Sequence, residues 1–304
     1  MEIKKIVNEL NISFPDMKII EDFDMSQVSS YKTGGKSEVS VFPRDSEQIS
    51  QIIRFLNDRD VNPLVLGGCT NILVSDRGIS GVTIFLSGLN NFQINETELK
   101  VSAGISSSKL SDIALENQLS GLEFLSGLPG FVGGAAYMNA RAFGSEMGNV
   151  ISTAVVVNKK GDIFTRKCFP SEFSYKSSPF RKEELIVVSL DFNLIRGIKE
   201  DIREKMENNR NHRIKNGENM FPSCGCVFKN SSEYSAGRLI DSCQLKGFVM
   251  GNIKVSPLHA NFIVYEKNAT SSEIRSLMSF VRKKVLDDTG FLMDYEVEFV
   301  GDWD

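Results

Sequence analysis

The stretch GLEFLSGLPGFVGGAAYMNARAFG, residues 121–144, constrains this chain more than any other. It holds Gly127, Gly130, Gly133, Gly134 and Gly144, with Pro129 among them and almost no charge. That is too apolar for a linker and too glycine-dense for an ordinary helix or strand. Without a Cβ the backbone admits positive φ and lets a ligand approach closely. Ser126, Asn139 and a row of main-chain N–H groups could then face phosphate oxygens, as nests and helix N-termini do. A buried, glycine-packed helix or turn would use the same residues, and the segment alone leaves both readings open.

A second segment of the same character is Leu64-Val65-Leu66-Gly67-Gly68-Cys69-Thr70-Asn71-Ile72-Leu73-Val74. Apolar, β-branched runs flank a tight turn, which reads as strand, phosphate-cradling turn, strand. Neither segment fits G-x-G-x-x-G opening a helix, nor a P-loop with its Lys-Ser/Thr. The chain is therefore expected to hold a large phosphate-bearing cofactor by another route.

The chain has 304 residues, enough for two or three domains with a substantial core. Its 35 Lys+Arg against 39 Asp+Glu leave a formal net charge of -4, so no general basic field recruits nucleic acid or anionic membrane. Met1-Glu2-Ile3-Lys4-Lys5 alternates charge with apolar residues, unlike a signal peptide, and no uncharged apolar run reaches about 18 residues. A cytoplasmic protein is expected. Five cysteines, Cys69, Cys168, Cys224, Cys226 and Cys243, do not make a disulfide framework, and with only two histidines no metal site is expected.

Residues 1–28 read as a leading helix and linker before a third glycine turn, Thr33-Gly34-Gly35, and a strand from Val39. Asp45 can cap a helix in which Ile49, Ile52, Ile53 and Leu56 share a face, expected to pack on strands at 64–66 and 72–75. Strands are also read at 81–86, 99–103 and 185–194, a helix at 109–119, and a hairpin across Asn158-Lys159-Lys160-Gly161-Asp162. A charge-rich helix, about 199–213, marks a domain boundary. Beyond it lie the turn-rich 222–230, a segment at 236–240 and a strand at 261–265. Ser271 or Ser272 then caps a helix with the stripe Ile274, Leu277, Met278, Val281 and Val285, stopped by Gly290. Alternating strands and helices define an α+β or mixed α/β chain.

Taken together, Lys32–Gly35, Gly67–Gly78, Gly121–Gly144, Phe173–Ser178, Pro222–Asn230, Ala236–Ile240, Leu245–Gly247, Val255-Ser256, His259–Phe262 and Glu296-Val297 resemble, in order, the bacterial UDP-N-acetylenolpyruvoylglucosamine reductase family, in its shorter type. The resemblance runs from about Tyr31 to Gly301. It implies an α+β fold in which residues 1–196 form an FAD-binding domain of the PCMH or vanillyl-alcohol-oxidase kind, with subdomains of about 1–98 and 99–196. Residues 197–304 would bind the UDP-sugar, their C-terminal segment returning to the active site. By resemblance, Thr33, Gly34, Gly35, Leu66, Gly67, Gly68, Cys69, Thr70, Asn71, Ile72, Ser126, Gly127, Pro129, Gly130, Gly134, Asn139 and Ala140 would line non-covalent FAD. Tyr175, Arg213, Lys229, Asn230 and Arg238 would bind substrate, since pyrophosphate and carboxylate favour charge-assisted donors.

The implied reaction is reduction of UDP-N-acetylglucosamine enolpyruvate by NADPH through FAD to UDP-N-acetylmuramate, in a cytoplasmic monomer serving peptidoglycan synthesis. Hydride goes to C3, enolate-like charge collects beside the carboxylate, and C2 gains a proton. The positions matching the family's carboxylate-polarising Arg, proton-donating Ser and assisting Glu are Lys176, Cys226 and Glu296. A thiol of free pKa ~8.5 is a better acid than a serine hydroxyl. Lys176 keeps the charge of Arg but loses its planar fork, unless Arg181 reaches the same group. Arg141 stands where the family usually has Gly, and no role is assigned to it. Taken without the resemblance, Cys226 reads as a small packing residue, Lys176 as a surface lysine, Glu296 as the outward position of a strand and His259 as structural. Two rival functions are a flavin oxidase tethered through Cys69 and a degenerate homologue that binds FAD or UDP-sugar as a sensor.

Overall fold

The computed structural model describes residues 2–218 and 220–303. The chain forms two compact units, neither a single consecutive stretch. The first comprises Met1–Glu21, Val39–Gly68 and Gly81–Asn211; the second comprises Asp22–Glu38, Cys69–Ser80 and His212–Asp304. Strands and helices mix throughout, as an α+β chain requires.

In the first unit an antiparallel sheet runs in the order Ile163–Lys167, Ile151–Val157, Ile186–Asn193, Glu98–Ser102, Phe92–Asn95. The expected hairpin forms, with Val157 opposite Ile163 and the turn closed by the Gly161 N–H on Asn158 O. Helix Ser46–Asn57 starts where Asp45 accepts the Gln48 N–H, and Ile49, Ile52, Ile53 and Leu56 are all buried. It packs on the strands Ile151–Val157 and Ile163–Lys167, with Asn57 Nδ2 donating to Lys159 O at 2.8 Å. The expected seat on strands 64–66 and 72–75 did not include that hairpin, because periodicity names the buried face and not the sheet that covers it.

A four-stranded sheet, Lys18–Asp24, Lys36–Phe42, Ile79–Phe85, Leu64–Leu66, belongs for the most part to this unit, with its last two strands parallel. Its first strand lies in the stretch read as helix and linker, where the helix covers only Glu2–Ser13. Helix Ser107–Glu116, capped by Ser106, leads toward the glycine segment. The unit has its own core, including Leu10, Leu56, Ile84, Leu110, Phe180 and Phe192.

In the second unit, helices Ala236–Ser242 and Ser271–Thr289 pack together, and the longer one lies on a small antiparallel sheet of Val249–Met250, Ile253–Val255 and Ile263–Tyr265. The stripe Ile274, Leu277, Met278, Val281 and Val285 is fully buried. The N-cap is Thr270 rather than Ser271 or Ser272. Thr270 accepts the Glu273 N–H while Glu273 accepts the Thr270 N–H, a reciprocal capping box. Gly290, at φ +76°, ends the helix. A parallel pair, Ile72–Val74 with Glu298–Val300, joins distant parts of the chain inside this unit. Leu73, Val227, Phe228, Ile240, Leu277 and Met293 belong to its core. No described helix is long and apolar enough to cross a membrane.

Candidate functional site

The two glycine segments meet in the first unit. A Cβ on Gly68 would lie 2.7 Å from Gly130 Cα and 2.8 Å from Phe131 N, so the turns touch backbone to backbone. A Cβ on Gly67 would meet nothing closer than Gly134 N at 3.7 Å, and one on Gly134 would meet nothing within 4 Å. Gly134 thus borders open space, while a Cβ on Gly67 would lie in ordinary van der Waals contact with the Gly134 backbone. Gly133 does a different job, because its Cβ would strike Ala103 Cβ at 2.6 Å. Leu66 closes the preceding strand, buried. Ser126 is buried at the end of the turn Glu123–Leu125, and the Gly127 N–H donates to Ser108 Oγ at 3.2 Å. Pro129 and Gly130 follow, the latter at φ +98°. Ala140 donates its N–H to Ala135 O.

Asn139 was expected to line the cofactor, but its side chain is engaged inside the protein. It is 1 % exposed, its Nδ2 donates to Ser174 O at 3.0 Å, and its Oδ1 accepts the Gly148 N–H at 2.9 Å. It therefore buttresses the turn Ser174–Ser177, whose end residues exchange both backbone hydrogen bonds. That turn presents Tyr175, exposed, and Lys176, at φ +55°, with Lys176 Nζ 5.8 Å from the Tyr175 ring centroid.

In the second unit the Thr33-Gly34-Gly35 turn is packed rather than open. A Cβ on Gly34 would strike Val74 Cβ at 2.7 Å, and one on Gly35 would strike Asp76 O at 2.4 Å and Gly78 N at 2.5 Å. Thr33 is buried, its Oγ1 accepting from Ser271 Oγ at 2.8 Å. Asp76 accepts the N–H groups of Ser271 and Ser272, each at 2.8 Å, and so fixes the start of the long helix. These glycines serve a loop-to-loop contact. Cys69, at φ +52°, is buried, and burial pushes its thiol up to about 12. A thiol so hard to ionise is a poor tether for a flavin. Thr70 is half-buried and Ile72 opens the parallel strand.

The same unit brings Cys226 and Glu296 to one place in the backbone pairing. The Glu296 N–H donates to Val227 O at 2.7 Å, the Lys229 N–H donates to Asp294 O at 2.9 Å, and Phe228 stacks on Tyr295 at 5.3 Å between centroids. Glu296 is buried, not the outward position of a strand, and Cys226 is half-buried. Asn71 grips the acid segment from the other side: its Nδ2 donates to Glu296 O at 3.0 Å and its O accepts the Glu298 N–H.

The substrate candidates divide. Arg238 is exposed on the short helix Ala236–Ser242, and Asn230 Oδ1 accepts the Ala236 N–H that opens it, so Asn230 acts first as a fastening. Arg213 is buried and bonded to Glu218 at 2.7 Å, so its charge is already matched within the unit. Burial lowers the His259 pKa, with Lys246 acting in the same direction and Glu218 against it. His259 Nδ1 accepts the Asn261 N–H at 3.3 Å, which assigns it a structural place. Asn261, read in the sequence only as the start of a strand and within the resemblance, has a role at the site that the sequence did not disclose. Its signal, a buried carboxamide two residues before a strand, exists only in three dimensions.

Two glycine segments packed backbone to backbone, with open space at Gly134, lie in a cofactor-binding protein: residues 37–166 match the FAD binding domain family. Residues 216–300 match the C-terminal domain of UDP-N-acetylenolpyruvoylglucosamine reductase. The reductase of that name from Treponema denticola is 38% identical over 298 residues, covering 92% of each chain. The one from Borreliella burgdorferi is 36% identical over 281 residues, covering 91% of this chain and 93% of the relative. The crystal structure of the Thermus caldophilus reductase superposes with a TM-score of 0.76 at 26% identity, covering 93% of this chain and 98% of that one. The chain belongs to the UDP-N-acetylenolpyruvoylglucosamine reductase family.

Proposed function

We propose that the chain reduces UDP-N-acetylglucosamine enolpyruvate to UDP-N-acetylmuramate for peptidoglycan synthesis, in a cytoplasmic monomer, with NADPH as reductant and non-covalent FAD as carrier. The observation that carries the reading is the backbone bridge between Val227 and Glu296, which sets Cys226 and the buried Glu296 on paired segments. The open space at Gly134 fits a cofactor that needs close backbone approach. Residues 1–196 would form the FAD domain and 197–304 the UDP-sugar domain. Gly67, Gly68, Ser126, Gly127, Gly130 and Gly134 would hold the FAD, together with Thr70 and Asn71. When bound, FAD supplies the hydride that C3 of the enolpyruvyl group receives.

The chain's own residues would manage charge and the proton. Lys176, presented by its turn, would pair with the substrate carboxylate where enolate-like charge collects. The Cys226 thiol would give its proton to C2 and be left as thiolate, with Glu296 restoring the proton or stabilising the charge beside it. Tyr175, Lys229 and Arg238 would meet the UDP-sugar, Arg238 as a diphosphate donor.

Anaerobic titration tests this directly. The yellow protein should bleach with NADPH and recover colour with the enolpyruvyl sugar. Cys226→Ala should still bleach but lose about 100-fold in the rate of recovery. Recovery at the unaltered rate would remove Cys226 from the reaction, and a protein that recovers only with oxygen would point to an oxidase.

A further inference from the structure

We propose that Asn261 is a positioning residue for this reaction, its carboxamide holding the Cys226 thiol in register with Glu296; the proposal rests on the reductase reading above. Asn261 is 2 % exposed and bonds to the two residues after Cys226 in three places. The Val227 N–H donates to Asn261 O at 2.9 Å, the Phe228 N–H donates to Asn261 Oδ1 at 3.0 Å, and Asn261 Nδ2 donates to Phe228 O at 2.8 Å. A carboxamide offers the same donor and acceptor as a peptide group, so the side chain stands in for the next residue of a neighbouring strand. On the opposite edge the 227–229 segment has true backbone partners, Asp294 and Glu296. The segment is thus a short extended stretch, bridged to Tyr295 on one side and held by an asparagine on the other.

Gly225 sits at φ +73°, and a Cβ there would meet nothing within 4 Å. Cys226 is flanked by Cys224, whose Sγ donates to Ile72 O at 2.8 Å, and by Val227-Phe228, held by Asn261. A displacement of about 1 Å at a reacting group can cost about 100-fold in rate, so a loosened flank should slow proton delivery rather than binding.

The experiment uses the full-length holoenzyme and follows both half-reactions by anaerobic stopped flow, with the enolpyruvyl sugar and NADPH as probes. Asn261→Ala should leave flavin reduction by NADPH within about twofold and lower reoxidation at saturating sugar by about 10- to 100-fold, an effect on kcat rather than KM. Independently of turnover, alkylation of Cys226 by iodoacetamide, read by mass spectrometry, should rise about tenfold while buried Cys69 stays protected. Asn261→Asp provides a conservative rescue. Its carboxylate faces a carbonyl and is defective, but once protonated it again accepts at one oxygen and donates from the other, so its rate relative to the unaltered enzyme should recover as pH falls. Reoxidation within twofold in Asn261→Ala overturns the proposal, as does an equal fall in both half-reactions. If Asn261→Ala does not fold, an Asn261→Asp rate ratio that is flat with pH overturns it. An unaltered enzyme that the sugar never reoxidises sinks the reductase reading instead, and the alkylation measurement still decides whether Asn261 holds Cys226.

Discussion

Gly134 and Gly35 come from stretches that look alike on paper, short apolar runs broken by paired glycines. In the first unit a side chain at Gly134 would meet no protein atom within 4 Å. In the second, one at Gly35 would drive into the backbone of Asp76 and Gly78 at about the length of a short hydrogen bond. Only Gly35 excludes a side chain, because two loops already occupy the room; at Gly134 the room is left open. Glycine density alone therefore marks close approach without saying what approaches.

Substitution separates the two cases. Gly35→Ala should be the most damaging change, costing about 3 kcal/mol as the 74–78 loop is forced away. That corresponds to a melting temperature about 10 °C lower, and to lost cofactor as a secondary result. A melting curve close to that of the unaltered protein would mean the loop is slack and the contrast false.

Gly134→Ala should behave oppositely. Gly134 lies in helix Val132–Tyr137, where alanine in place of glycine adds about 0.5–1 kcal/mol of stability. The cofactor-free protein should melt slightly higher while FAD affinity, by fluorescence quenching, falls about tenfold, which is about 1.4 kcal/mol. Unchanged FAD affinity would show that the open space is not where the cofactor lies.

The smallest effect concerns the internal bonding of the second unit. Burial holds the His259 pKa below its usual value near 6.5, so the unfolded chain takes up this proton more readily than the folded one. The stability contributed by neutral His259 is present above that range and is lost as pH falls below it. Protonation of Nδ1 would also break its bond from the Asn261 N–H. His259→Gln should flatten the decline in melting temperature between about pH 7 and pH 5 by a few degrees. An identical decline in both proteins would remove His259 as a contributor.

What the sequence disclosed followed the range of the interaction that makes each element. The helices at 46–57 and 271–289 were readable because their apolar stripes and caps are local. Even there the capping box pointed to Thr270, whose Glu273 partner lies three residues on, while the serines beside it drew the reading one or two residues late. Strand Lys18–Asp24 was hidden because KIIEDFD neither alternates cleanly nor runs apolar, and its pairing comes from the sheet. The candidate acids Cys226 and Glu296 were named from motifs, but the bridge between their segments joins residues nearly seventy apart and left no periodic trace. The buttressing roles of Asn139 and Asn261 were invisible for the same reason, since a side chain paired with distant backbone has no spacing to read.

The parallel pair of Ile72–Val74 with Glu298–Val300, clamped by Asn71 on Glu296 across 225 residues of chain, also sets a schedule for synthesis. At about 5–20 residues per second, the ribosome makes the first strand about 10–45 s before its partner exists. Through that interval the edge of Leu73 and Val74, later buried, lacks its parallel partner strand. The second unit is therefore the part of this molecule whose nascent form most needs protection from mispairing, and its folding can finish only after the acid-bearing segment has left the ribosome.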